Sequence, residues 1–221
     1  MKITLPGSKH TLTVGKILCI GRNYAKHAAE MKSDIPDQPM VFLKPSTALI
    51  RSGGMVVLPG QSKDVHHEVE LVAVIGKGGR NIPKEEALNH VAAYAVGLDM
   101  TARDIQSAAK ERRHPWSVAK GFDTFAPLGL LTPADQVGDP QALTVEVRVN
   151  GETKQKGDTR DMIFPIAELV AFTSSIFTLE PGDLIYTGTP DGVGPVQDGD
   201  VLDARVTNCA PLHVNITRGL V

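Results

Sequence analysis

The chain has 221 residues, a formal charge of -2 and a pI of about 6.4. Its length suits one large domain over residues 1–221, and its near-neutral charge argues against nucleic acid or an anionic membrane surface as a partner. No apolar run reaches the roughly 18–20 residues of a membrane span, and the N-terminal stretch lacks a signal-peptide pattern. We therefore expect a cytoplasmic protein whose partners are small molecules and further copies of itself.

Strand patterns dominate the chain, as short runs between Gly and Pro residues. They are KILCI, MVFLK, GMVVL, EVELVAVIG, AAYAVGLDM, LTVEVRVNG, DLIYTG, DVLDARV and LHVNIT. Helical patterns are NYAKHAAEM with Asn23 as a cap, PKEEALNHV, TARDIQSAAK with Thr101 as a cap, and FPIAELVAFTSSIF. Because strands and helices do not alternate regularly, the pattern predicts a mainly β, antiparallel or mixed α+β fold with peripheral helices.

The stretch HHEVELVAVIG places Glu68 and Glu70 at the head of an apolar strand. Alternate strand residues share a face, so both carboxylates point one way while Val69 and Leu71 point the other. Converging negative charges beside an apolar sheet require a cation, a shared proton or bulk water. A cation site and a solvated strand end are both compatible with this stretch alone.

A third acid, Asp99, ends the strand pattern AYAVGLDM. With the two glutamates it would supply three hard oxygen donors, which suit Mg²⁺, Mn²⁺ or Ca²⁺. A helix cap or turn residue is the simpler structural explanation for Asp99 alone.

Two further groups could carry chemistry. His27 and Glu30 are three residues apart in a helical pattern, so the carboxylate could orient the imidazole as a base, although surface pairs at this spacing are common. Arg103 and Gln106 lie one helical turn apart, and Lys120 follows in the turn AKGFD; ordinary surface charge also explains these three. The stretch YTGTPDGVGP lacks the spacing of a P-loop and fits a substrate-facing turn better.

Taken together, ILCIGRNYAKHAAEM, FLKP, HHEVELVAVIG, GLDMTARDIQ, AKGFDTFAPLG and GDLIYTGTPDGVGP resemble the fumarylacetoacetate hydrolase family, in its short branch of acylpyruvases and oxaloacetate decarboxylases. The resemblance covers nearly the whole chain. It implies a mixed β-sandwich or β-roll of the C-terminal-domain type, with peripheral helices, a short lid helix in a segment of about 24–36, and a homodimer.

The resemblance also assigns residues to roles. It implies Mg²⁺ or Mn²⁺, with Ca²⁺ as a substitute in crystals, on Glu68, Glu70 and Asp99. It implies water activation by His27 and Glu30, with Lys120 as the third catalytic residue. Substrate binding is assigned to Arg22, Arg103, Gln106 and Thr189.

The implied function is hydrolysis of the carbon–carbon bond of 3-acylpyruvates, such as fumarylpyruvate or acetylpyruvate, to pyruvate and a carboxylic acid. Oxaloacetate decarboxylation and oxaloacetate keto-enol tautomerisation are alternatives, because both proceed through the same pyruvate-type enolate. From another class, a metal-dependent binding module without catalysis is the competing hypothesis.

Overall fold

A computed structural model describes residues 1–5, 7, 11–30 and 34–219. Its strands are β1 (Lys2–Thr4), β2 (Thr11–Thr13), β3 (Ile17–Gly21), β4 (Met40–Lys44), β5 (Leu49–Arg51), β6 (Met55–Val57), β7 (Val65–His67), β8 (Val69–Ile75), β9 (Val91–Leu98), β10 (Thr101–Ala102), β11 (Ala126–Leu128), β12 (Thr132–Pro133), β13 (Thr144–Val149), β14 (Glu152–Asp158), β15 (Leu184–Tyr186), β16 (Gly194–Pro195), β17 (Val201–Val206) and β18 (Leu212–Thr217).

The α-helices are α1 (Ala25–Glu30), α2 (Arg103–Glu111), α3 (Ser117–Lys120), α4 (Ala134–Val137) and α5 (Ile166–Ile176), and 3-10 turns cover Ser46–Ala48, Lys84–His90 and Thr159–Asp161. The mainly β architecture with peripheral helices is therefore confirmed. Of the helices in the described part of the chain, none has the length and apolar character that crossing a membrane requires. The predicted lid segment of about 24–36 contains α1, while its residues 31–33 lie outside the described residues.

A mixed sheet with the strand order β4-β3-β15-β8-β9-β11-β5 forms the centre of the fold, and β12 pairs with β9 beside it. A second sheet, β14-β13-β17-β18-β6, packs against it, and a small sheet, β10-β7-β16, lies at the end of β8. Apolar residues from both larger sheets, such as Leu71, Val96, Val147 and Leu202, share one core. The result is the predicted sandwich of sheets.

Strand β8 is buried along its whole length because both of its faces are covered. Val69 and Leu71 belong to the core between the sheets, whereas Val72 and Val74 belong to a second core on the opposite face. This alternation is the one that the sequence pattern predicts. It places Glu70 on the face opposite Val69 and Leu71.

Two predicted helix caps are wrong. Helix α2 begins at Arg103 after Ala102, and Thr101 lies in β10, where its hydroxyl donates to the Asp99 carbonyl at 3.1 Å. The buried amide of Asn23 bonds to the backbone of Phe164 and Thr187. For Asn23, hydrogen bonds to distant segments outweigh the local capping preference; for Thr101, the pairing of β10 with β7 does so.

Candidate active site

The site lies where β8 begins beside the end of β9. Glu68 precedes β8, Glu70 is its second residue and Asp99 follows β9 directly. The strands pair antiparallel, and the Asp99 N–H donates to the Glu68 carbonyl at 2.8 Å. This register brings the three carboxylates together, with one ligand atom of each within 4.8 Å of the others. All three side chains are buried, so the glutamates do not form a solvated strand end.

Lys120 and Arg103 pair with this cluster. Lys120 Nζ donates to Glu68 Oε2 at 2.9 Å and to Asp99 Oδ2 at 2.6 Å. Arg103 donates to Glu68 Oε1 at 2.5 Å and to Gln106 Oε1 at 2.7 Å. Lys120, Arg103 and Gln106 are themselves buried, which excludes the alternative that they are ordinary surface residues.

Lys44, the last residue of β4, is a third buried cation beside the cluster, and the sequence analysis gave it no role. Its Nζ lies 2.7 Å from Asp99 Oδ1. Its hydrogen bonds, however, go to the carbonyls of Met100, Lys120 and Phe125. Within the described part of the chain, Asp99 Oδ1 consequently accepts no hydrogen bond, despite the short ion-pair distance.

The chemistry of the carboxylate cluster fits a divalent cation. A buried carboxylate oxygen normally accepts a hydrogen bond, whereas Asp99 Oδ1 accepts none in the described part of the chain. One oxygen of Asp99 also lies within 4.8 Å of an oxygen from each glutamate. Three hard oxygen donors in a buried cluster are a typical ligand set for Mg²⁺ or Mn²⁺.

The two glutamates differ in their electrostatic surroundings. Burial opposes ionisation of Glu68, but the positive charges of Lys120 and Arg103 outweigh it and hold its pKa well below the usual range. Burial, together with the negative charges of Asp99 and Glu68, raises the pKa of Glu70 well above the usual range. The N–H of Gly188 donates to Glu70 Oε2 at 2.8 Å and opposes that increase.

His27 and Glu30 form a hydrogen-bonded pair on α1. The distance between His27 Nδ1 and Glu30 Oε2 is 3.2 Å, and the N–H of Gly192 donates to both Glu30 oxygens at 3.1 and 3.2 Å. A carboxylate that accepts from Nδ1–H leaves Nε2 as the basic nitrogen. His27 is buried and lines the same cleft as the three acids.

Nine of the ten predicted site residues line this one cleft. The tenth, Glu30, is not among the lining residues, but it is bonded to His27, which is. Thr189 is buried there, and its hydroxyl donates to the Val69 carbonyl at 2.8 Å. Arg22 also lines the cleft, in a left-handed conformation with φ of 59°, which is uncommon for a non-glycine residue and occurs often at functional sites.

Lys110, Trp116 and Phe42 also line the cleft, and the sequence analysis missed them. Lys110 Nζ lies 5.3 Å from the centre of the Trp116 ring, and Lys120 Nζ lies 4.9 Å from that of Phe42. Burial and the nearby charges of Arg103 and Arg22 lower the pKa of Lys110.

A sequence signal existed for both missed lysines. Lys110 follows Gln106 by four residues in the helical pattern, so it belongs on the face that carries Arg103 and Gln106. Lys44 ends the otherwise apolar strand MVFLK.

Comparisons with known proteins agree with this geometry. The model of the family described as fumarylacetoacetate (FAA) hydrolase C-terminal matches residues 16–217. The chain is 46% identical to a mitochondrial oxaloacetate tautomerase of Arabidopsis thaliana, over 92% of this chain and 91% of the relative. It is 48% identical to a mitochondrial oxaloacetate decarboxylase of Dictyostelium discoideum, over 87% and 88%.

Among solved structures, a fumarylpyruvate hydrolase from Pseudomonas aeruginosa, crystallised with Mn²⁺ and pyruvate, is 42% identical with a TM-score of 0.93. The match covers 99% of this chain and 96% of that one. Since a family model spans most of the sequence and several relatives exceed 40% identity, the chain belongs to the fumarylacetoacetate hydrolase family.

Proposed function

We propose that this protein is a divalent-metal-dependent enzyme that hydrolyses the carbon–carbon bond of 3-acylpyruvates. The observation that carries this proposal is that one cleft is lined both by a buried cluster of three carboxylates and by His27, whose imidazole is oriented by Glu30. The fumarylpyruvate hydrolase that is similar in structure binds Mn²⁺ and pyruvate, which supports this reaction class.

We assign Glu68, Glu70 and Asp99 as the ligands of Mg²⁺ or Mn²⁺. When bound, such an ion supplies Lewis acidity that lowers the energy of the enolate of a 2-oxo acid. Lys120, which reaches two of the three carboxylates, stabilises negative charge that develops on substrate oxygens. The neighbouring positive charges of Arg103 and Lys44 keep the cluster from being strongly anionic before the ion binds.

His27 and Glu30 perform the proton transfer. His27 Nε2 removes a proton from water, and Glu30 stabilises the imidazolium that results. The hydroxide adds to the distal carbonyl, after which the bond between carbons 3 and 4 breaks and its electron pair forms the pyruvate enolate. Protonation of carbon 3 then gives pyruvate, and the acyl half leaves as a carboxylic acid.

The charges of the cleft favour a dianionic substrate. Lys44, Arg103 and Lys120 balance the three carboxylates, so a bound divalent ion leaves two positive charges in excess. Fumarylpyruvate and oxaloacetate both carry two carboxylates at neutral pH. We assign Arg22, Arg103, Gln106 and Thr189, which line the cleft, to substrate binding, and add Lys110 for the second carboxylate.

Oxaloacetate decarboxylation or tautomerisation is the second candidate. Two relatives favour this candidate: the 46% identical protein is named an oxaloacetate tautomerase, and the 48% identical protein an oxaloacetate decarboxylase. Loss of carbon dioxide from oxaloacetate forms the same enolate as acylpyruvate cleavage without an attacking water. One site therefore serves both reactions, and His27 would move the carbon 3 proton in tautomerisation.

Several finer expectations stay predictions. They are the homodimer, the cytoplasmic location, a single catalytic domain over residues 1–221 and closure of the 24–36 segment over the substrate.

A turnover panel tests the proposal. Fumarylpyruvate, acetylpyruvate and oxaloacetate are each assayed with Mg²⁺, with Mn²⁺ and with EDTA, and pyruvate release and enol consumption are followed. The proposal expects pyruvate release from fumarylpyruvate that EDTA abolishes and added metal restores. Turnover of oxaloacetate alone would replace it with the second candidate, and metal binding without any turnover would favour a binding module.

A further inference from the structure

Gln155 is a buried amide in a strand that otherwise faces solvent. Every other residue of β14, which the structure describes in full, is at least partly exposed, whereas Gln155 is 1% exposed. A buried amide is costly unless its donors and acceptors are all bonded. The hydrogen-bond partners of the Gln155 amide therefore identify the segments that it connects.

All four hydrogen-bonding positions of the Gln155 amide are used. Its Oε1 accepts from the Val69 N–H at 3.1 Å and from His67 Nδ1 at 2.9 Å. Its Nε2 donates to Thr189 Oγ1 and to the Pro190 carbonyl, both at 2.8 Å. Two donors and two lone pairs are the full capacity of a glutamine side chain.

These bonds join two parts of the site. Val69 is the residue between Glu68 and Glu70, so its backbone sets the position of both carboxylates. Thr189 and Pro190 belong to the segment 187–192, and two backbone amides of this segment bond to site carboxylates: Gly188 N–H to Glu70, and Gly192 N–H to Glu30.

The same segment lies directly on the backbone of β14. A Cβ at Gly192, where φ is +92°, would lie 2.3 Å from the Lys154 carbonyl oxygen. A Cβ at Gly157 would lie 2.5 Å from the Pro190 Cβ. Close packing fixes the distance between the 187–192 segment and β14. The Gln155 amide, through its bonds to Thr189 and Pro190, fixes the position of the segment along the strand.

We propose that Gln155 is a positioning residue that aligns the 187–192 segment with the head of β8. Through Gly188 it orients Glu70 toward the cation, and through Gly192 it holds Glu30 behind His27. The role in turnover rests on the proposed function, whereas the role in cation binding does not.

The test compares Gln155→Met with Gln141→Met. The Gln141 amide also bridges two backbone groups, because it donates to the Thr159 carbonyl and accepts from the Ile166 N–H at 3.1 Å, but it does not bond to the 187–192 segment. Mn²⁺ affinity is measured by electron paramagnetic resonance, alongside thermal unfolding, kcat and KM. Removing a residue that orients a metal ligand lowers affinity by about 10–100-fold.

We expect Gln155→Met to weaken Mn²⁺ binding by about tenfold and, at saturating Mn²⁺, to lower kcat more than it raises KM. Gln141→Met, which removes two bonds of a partly buried amide, should also lose thermal stability while it keeps wild-type Mn²⁺ affinity. Gln155→Glu keeps the side-chain size and the acceptor toward Val69 but removes the amide donor, so it should change Mn²⁺ affinity in the same direction.

Wild-type Mn²⁺ affinity in folded Gln155→Met or Gln155→Glu protein would overturn the positioning role, as would an equal loss in Gln141→Met. If the wild-type enzyme turns over none of the 2-oxo acids, the proposed function fails, and the Mn²⁺ titrations still decide the role of Gln155.

Discussion

The carboxylate cluster and His27, with Glu30 bonded to it, serve the same cleft, yet the fold holds the cluster and the His27–Glu30 pair by different means. The cluster lies at the adjoining ends of two neighbouring strands, β8 and β9, in the centre of the main sheet, and three buried cations surround it. The pair lies on α1, a helix of six residues. A helix this short depends on its tertiary contacts, and the Glu30 side chain, 34% exposed, is anchored by the Gly192 N–H.

This difference separates two parts of the proposed reaction, namely enolate stabilisation and water activation. Stabilising an enolate requires the cluster, which the sheet holds rigidly. Activating water requires the pair, whose alignment depends on a helix docked from the outside. Damage to the pair should therefore remove hydrolysis and spare decarboxylation, whereas damage to the surroundings of the cluster should affect folding as well.

The largest expected effect comes from Glu30→Gln. The amide cannot stabilise an imidazolium as a carboxylate does, so hydrolysis of fumarylpyruvate should fall by about 100–10,000-fold, the usual contribution of general base catalysis. Decarboxylation of oxaloacetate needs no attacking water and should change by only a few-fold. Steady-state kinetics with both substrates measures the ratio, and equal losses would contradict the water-activating role.

The next largest effect concerns the free energy of unfolding and the buried lysine Lys44 beside the carboxylate cluster. Lys44→Met removes a buried positive charge beside Asp99 Oδ1 and leaves three buried carbonyls without their donor, although Lys120 still pairs with Asp99 Oδ2. The free energy of unfolding in EDTA should therefore fall by about 3–5 kcal/mol. Lys84→Met removes an exposed pair with Glu168 and should cost less than about 1 kcal/mol. Urea unfolding measures both, and similar values would show that Lys44 is not a structural part of the cluster.

The smallest effect concerns substrate choice. Lys110→Met keeps an apolar contact with Trp116 but removes the charge, so KM for fumarylpyruvate should rise about tenfold, as expected for one lost charge-assisted bond. Acetylpyruvate lacks the second carboxylate and serves as the internal control. A parallel rise in KM for both substrates would assign Lys110 to general packing of the cleft.

The sequence predicted the parts of the fold that follow from local periodicity. The alternation along HHEVELVAVIG correctly separated Glu70 from Val69 and Leu71, and the irregular order of elements correctly indicated a mainly β fold. The segment PKEEALNHV forms a 3-10 turn over Lys84–His90, which its helical composition does not distinguish from an α-helix.

Features that depend on distant contacts were not predictable in this way. Asn23 and Thr101 have the side chains of helix caps, but Asn23 bonds to distant segments and Thr101 lies in β10, which pairs with the distant strand β7. The role of Lys44 depends on carbonyls that lie 56 to 81 residues further along the chain. No local pattern contains that information.

The central claim is that Glu68, Glu70 and Asp99 hold one divalent ion. Anomalous diffraction from a crystal grown with Mn²⁺ tests it most directly. The account predicts one strong anomalous peak within bonding distance of an oxygen from each of the three side chains, with Asp99 Oδ1 among them. A map without a peak there, with the three carboxylates paired solely to Lys44, Arg103 and Lys120, would contradict it.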